Sequence, residues 1–169
     1  MSGTARKPAS PSRKKRLSHV RADGSLRMVD TSAKPATARI AIAEAVVRMA
    51  PAARQALKAG SLKKGDALAA ARIAGVFAAK RTAELIPLCH PIALTDIDVA
   101  TEFAGRDRVR ITCSASCVGP TGVEMEALTG AAIAALTIYD MCKAMDRAIT
   151  IESVRLLEKA GGASGRWRR

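Results

Sequence analysis

The segment Val123–Ala148 does most to limit what this chain can become. It is rich in Ala, Leu and Met and follows the breaker Gly119-Pro120-Thr121-Gly122, so it predicts one long helix. Strand-like segments lie on both sides. Ala93–Phe103 and Arg108–Val118 flank Gly105-Arg106-Asp107, a hairpin signature, and Ile149–Leu157 follows the helix. A helix of this length needs an apolar surface to lie on, and these strands can supply it.

The first half is less decided. Asp66 is a natural N-cap for an Ala-rich helix running to about Leu85, and Pro87 and Pro91 stop helix there. A shorter helix, Ala52–Ala59, opens after Pro51 and closes at Gly60. Arg39–Met49 reads both ways: its alanines favour helix, while Ile40, Ile42, Val46 and Val47 suit a strand. If it is a strand, the order is βαββαβ. That is a ferredoxin-like α+β fold, an antiparallel sheet with helices on one face. The expected organisation is a basic tail at 1–25, one domain at 26–165 and a basic C-terminal tail at 166–169. Aromatic residues are 2% of the 169 residues and apolar residues 49%, so the core must be built from Ala, Val, Ile and Leu.

The net charge of +13 invites a nucleic-acid reading, but its distribution argues against one. Seven cations and no acid lie in residues 1–22, and three lie in the last four residues, which leaves +3 for residues 23–165. The charge belongs to the ends, which read as solvated and disordered. No aromatic side chains are interleaved there for base stacking. No apolar run suggests a bilayer span or a signal peptide. The expectation is a soluble bacterial cytoplasmic protein, with an organellar transit segment as the alternative. The four cysteines, Cys89, Cys113, Cys117 and Cys142, form no Cys-x-x-Cys pair and read as reduced, mostly buried thiols.

Chemistry-bearing residues fall in three places: Leu85–His90, Gly122–Thr129 and Tyr139–Lys143. Glu126 and Asp140 are 14 residues apart and return to one helix face, with Lys143 a turn beyond Asp140. At 1.5 Å per residue the two acids are ~21 Å apart. One small substrate cannot touch both on one helix, so either they serve different ends of a large ligand or subunits combine. Taken singly, the features have plain structural readings: a surface ion pair for Asp140 and Lys143, helix-dipole acids for Glu124 and Glu126, a packed loop residue for His90. The Cys89–His90 pair is too small for zinc. Lys63 and Lys64, before a helix N-terminus, suit an anion.

In order along the chain come Met28-Val29-Asp30-Thr31-Ser32-Ala33-Lys34, Lys64-Gly65-Asp66, Ala71-Arg72-Ile73-Ala74-Gly75, Ala79-Lys80-Arg81-Thr82, Leu85-Ile86-Pro87-Leu88-Cys89-His90-Pro91, Thr121-Gly122-Val123-Glu124-Met125-Glu126-Ala127-Leu128-Thr129 and Ala135-Leu136-Thr137-Ile138-Tyr139-Asp140-Met141-Cys142-Lys143. Together they closely resemble the cyclic pyranopterin monophosphate synthases, the MoaC family of molybdenum cofactor biosynthesis, over about residues 26–165. The resemblance implies conversion of 3′,8-cyclo-7,8-dihydroguanosine triphosphate into cyclic pyranopterin monophosphate and diphosphate, by a lyase of the phosphorus–oxygen type. It implies a ferredoxin-like subunit in a homohexamer, a trimer of dimers with sites at the dimer interface. Matched by motif, Lys64 and Lys143 are the catalytic lysines, with Asp140 beside Lys143. Leu88, Cys89, His90, Glu124, Met125 and Glu126 form the substrate pocket, and Lys34, Arg39 and Lys159 are triphosphate contacts. A catalytic lysine is useful if burial or a like charge lowers its pKa. No resident cofactor is implied; magnesium can arrive with the triphosphate. Two features depart from the pattern: Ala163 where members often carry Lys, and the basic tail. The competing expectation is a nucleic-acid-binding or scaffold protein that uses this tail.

Overall fold

The computed structural model describes residues 19–169 except Ala22; the expected tail lies mostly outside the described residues. The elements are β1 (Thr37–Arg48), α1 (Pro51–Lys58), α2 (Ala67–Lys80), α3 (Thr82–Leu85), β2 (Leu94–Ala104), β3 (Arg108–Gly119), α4 (Glu124–Cys142), β4 (Thr150–Ala160) and β5 (Trp167–Arg168). The sheet runs β2-β3-β1-β4-β5 and is antiparallel throughout. This is the expected ferredoxin-like α+β arrangement.

The segment that reads both ways from sequence forms strand β1, Thr37–Arg48. In β1, Ala41, Ala43, Ala45 and Val47 are buried at every second position, the period of a strand with one face on a core. In β3, Val109, Ile111, Cys113, Ala115 and Cys117 do the same, with Ala43 opposite Cys113 and Ala45 opposite Ile111. The small side chains have a reason. A Cβ on Gly130 of α4 would lie 2.5 Å from Cys113 Sγ and 3.1 Å from the Gly75 carbonyl of α2. Helix meets helix at backbone distance, and α4 lies directly on the Cys113 side chain of the sheet. Aromatic side chains would not fit between them. The sheet's other face buries Glu44, 4% exposed, between Arg110 and Arg155 at 2.8 and 2.7 Å.

Three boundaries differ from the sequence expectation. Helix α4 stops at Cys142 rather than Ala148. The Asp146 carboxylate accepts from the Ala148 amide at 2.8 Å and from the Ala50 amide, just before α1, at 2.7 Å; this side-chain bonding competes with further helix. The helix from Asp66 breaks after Lys80, where the Thr82 hydroxyl donates to the Ala79 carbonyl at 3.0 Å. Residues 166–169, expected as a tail, contain β5, which pairs with β4 and is fixed by Arg166 on Glu158 at 2.7 Å. Among the described residues α4 alone is long and apolar enough to cross a bilayer by composition. It is the central core helix, with Ala127, Ala131, Ala134, Ala135 and Ile138 fully buried.

Candidate active site

The N-terminal end of α4 opens onto a cleft. Two adjoining cavities of about 590 and 310 Å³ share Lys34, Thr121, Gly122 and Glu124 as walls. The larger is closed by the start of β1, the end of β4 and the loop Gly161–Ser164; the smaller by Leu88, Cys89, His90, Met125 and Glu126. Every residue expected in the substrate pocket or at the triphosphate, namely Lys34, Leu88, Cys89, His90, Arg39, Glu124, Met125, Glu126 and Lys159, lines one cavity or both.

The charged groups of the larger cavity are held in place. Arg39 Nε donates to the Gly119 carbonyl at 2.9 Å, and Lys159 Nζ to Glu124 Oε1 at 2.9 Å. A Cβ on Gly122 would overlap the Glu124 carboxylate. At Gly162, with φ +69°, a Cβ would overlap the Arg39 guanidinium. Here glycine allows both the left-handed backbone and the close approach of a cation. With Lys34, three cations face one carboxylate, so the cavity suits a polyanion. Thr37 adds a buried hydroxyl with no hydrogen-bond partner among the described residues. A ligand would satisfy it.

The smaller cavity is different in character. Glu126 is 3% exposed, and burial, reinforced by the Glu124 charge, raises its pKa above the usual glutamate value. No cation pairs with it among the described residues, so a surface helix-dipole role does not describe it. A buried carboxyl of this kind is suited to polar N–H groups of a ligand. Burial also raises the pKa of the Cys89 and Cys117 thiols, with nearby Glu126 adding to both. They stay protonated and are poor nucleophiles. His90 Nε2 lies 2.7 Å from the Val29 carbonyl. His19 lines this cavity too, although its place in the basic run gave no sign of it.

At the other end of α4 stands a second cluster. Lys143 Nζ is 2.8 Å from Asp140 Oδ1, and Lys64 Nζ is 2.9 Å from both Asp140 Oδ2 and the Asp140 carbonyl. The carbonyl end of a helix favours cations. Lys64 is therefore turned toward α4, while Asp66 occupies the first amides of α2, Leu68 at 3.0 Å and Ala69 at 2.9 Å. The anion site expected at that helix start is filled by the chain's own carboxylate. Hydrogen bonds from Lys143 and Lys64 hold the Asp140 pKa down to about 2. The Asp140 hydrogen bond in turn raises the pKa of Lys143. The burial or like charge that would lower a lysine pKa is not present here: the cluster is half-exposed and its dominant neighbour is an anion.

No residue of the lysine cluster lines the cleft. The model of the MoaC family matches residues 28–162. The chain belongs to the MoaC family. This is the family of cyclic pyranopterin monophosphate synthase, and membership assigns the chain a role in molybdenum cofactor biosynthesis. The matched span contains the lysine cluster and the cleft apart from His19, Ala163 and Ser164, and leaves out β5 and residues 1–27. Family membership also points to a nucleotide-derived substrate.

Proposed function

We propose that the chain is a cyclic pyranopterin monophosphate synthase acting on (8S)-3′,8-cyclo-7,8-dihydroguanosine 5′-triphosphate. The reading is carried by the division of labour along α4: a three-cation cleft with a buried carboxyl at one end, and a Lys-Asp-Lys cluster at the other. Family membership makes the substrate nucleotide-derived. Glu126 takes the amino-pyrimidine edge, with Leu88, Cys89 and Met125 around the ring. Lys34, Arg39 and Lys159 take the triphosphate, and magnesium can arrive with it.

The cluster reaches the cleft from another copy. Helix α4 keeps the two ends ~21 Å apart within one chain. A two-fold pair of chains presents each cluster to its partner's cleft, so one pair holds two equivalent sites. Three such pairs make the homohexamer we propose. Lys143, kept charged by Asp140, donates protons during opening and rearrangement of the purine-derived ring. A ribose-derived hydroxyl oxygen then bonds to the α-phosphorus and gives up its proton. The bond from that phosphorus to the bridging oxygen breaks, and diphosphate leaves. Positioning and cationic stabilisation of the phosphate oxygens favour that step.

The deciding experiment is turnover of the purified chain with the cyclic dihydro-GTP substrate, scoring diphosphate and cyclic pterin together. Both products, lost together in Lys64→Ala and in Lys143→Ala, support the synthase. Neither product from a folded oligomer would refute it.

A further inference from the structure

Residues 28–34 carry Lys34, yet they belong to no helix and no strand. Their internal order is local. Asp30 Oδ1 accepts from the Ser32 amide at 2.9 Å and its hydroxyl at 2.7 Å, and the Lys34 amide donates to the Thr31 carbonyl at 3.0 Å. Among the described residues, one hydrogen bond ties this segment to the body of the domain: His90 Nε2 to the Val29 carbonyl, 2.7 Å, between residues 61 apart in sequence. Val29, Thr31 and Lys34 form one wall of the smaller cavity and Leu88–His90 another, so the bond closes the cavity's rim. Lys34 stands where the two cavities meet.

We propose that His90 is a positioning residue: it straps residues 28–34 across the cleft and thereby sets Lys34 as a phosphate contact. The proposal rests on the synthase reading for the phosphate and on geometry alone for the strap. A carbonyl only accepts, so the ring must carry its proton on Nε2. His90 also lines the smaller cavity, so the strap adds to its expected place in the substrate pocket. A phenyl ring at 90 would keep the packing and lose the donor. A glutamine amide can restore the donor at a similar reach.

Three measurements test this on the full chain. Ring nitrogen NMR of wild type, with only two histidines in the sequence, should show His90 protonated at Nε2. A bare Nε2 would overturn the strap without any variant having to fold. Hydrogen exchange should be about three- to tenfold faster at the Ser32 and Lys34 amides in His90→Phe, the loss of one ordinary hydrogen bond, and return toward wild type in His90→Gln. Unchanged exchange in His90→Phe would also overturn the strap. Inorganic diphosphate, titrated calorimetrically, should bind about three- to tenfold more weakly to His90→Phe and to Lys34→Ala, and no more weakly to the double variant, since both remove one contact. Fully additive losses would separate His90 from Lys34 and end the proposal. If wild type fails to bind diphosphate, the phosphate reading of the cleft falls, and the exchange and ring data still judge the strap.

Discussion

Two inactive variants of this chain should restore each other. Arg39→Ala disables the cleft, where the guanidinium is fixed by the Gly119 carbonyl at 2.9 Å. Lys143→Ala disables the cluster at the far end of α4, where Lys143 pairs with Asp140 at 2.8 Å. A homodimer of either variant has two damaged sites. In a mixed pair, one site combines both damaged halves and the other combines both intact halves. Random pairing makes half the pairs mixed, and each has one working site of two, so an equal mixture should recover about a quarter of wild-type turnover. Each variant alone should fall about 10²–10⁴-fold if the lost group works by proton transfer or charge stabilisation. The assay is diphosphate release after the two chains are co-expressed with different tags and the mixed oligomer is isolated. Recovery near a quarter in the mixed oligomers, where half the pairs are mixed, is the signature of shared sites. No recovery from mixed oligomers shown to contain both chains would refute the composite site and leave each chain to work alone.

Other expectations concern charge and packing. Asp140→Asn removes the anion that raises the Lys143 pKa, so the alkaline limb of the pH–rate profile should move to lower pH; an unmoved limb would separate Lys143 charge from turnover. The Asp140 pKa is depressed to about 2, so its contribution to stability is present above its ordinary value near 3.8 and lost as pH falls toward 2. Thermal melts of wild type and Asp140→Asn should therefore converge in acid. Glu126 has the opposite sign: burial raises its pKa, so stability is greatest while it is protonated and declines as pH rises through that pKa. Glu126→Gln should gain thermal stability over wild type at pH 7 relative to pH 4, while losing turnover. Gly130→Ala places a Cβ 2.5 Å from Cys113 Sγ and should cost about 1–3 kcal/mol in chemical denaturation; a neutral result would mean that the helix pair can slide.

The sequence was readable where a feature is local. The hairpin at Gly105-Arg106-Asp107, the Asp66 cap and the Asp140–Lys143 pair all appear as expected. It was ambiguous where a distant partner decides. Alanine at 43 and 45 speaks for helix by propensity, yet both lie at 0% exposure on a strand beneath α4, and the need for small residues there comes from the helix above. Asp146 ends α4 and also binds the Ala50 amide, 96 residues away. The site shows the same division. Lys64 meets Asp140 across 76 residues, and only the ordered family motifs put them in one set. The direction of the Lys143 pKa could not be read from sequence either, because it depends on exposure as well as on the neighbour.

Helix α4 is also a gauge. Its axial rise fixes how far the Lys-Asp-Lys end stands from its own cleft, and the close approach of Gly130 to the Gly75 backbone and the Cys113 side chain keeps it from shifting to compensate. In a two-fold pair the spacing between the two reaction centres then becomes a property of helix length and not of interface side chains. Adding one residue between Glu126 and Asp140 would advance the far end by ~1.5 Å and turn it by ~100°. Both centres of the pair would lose alignment together, with every reactive group still present.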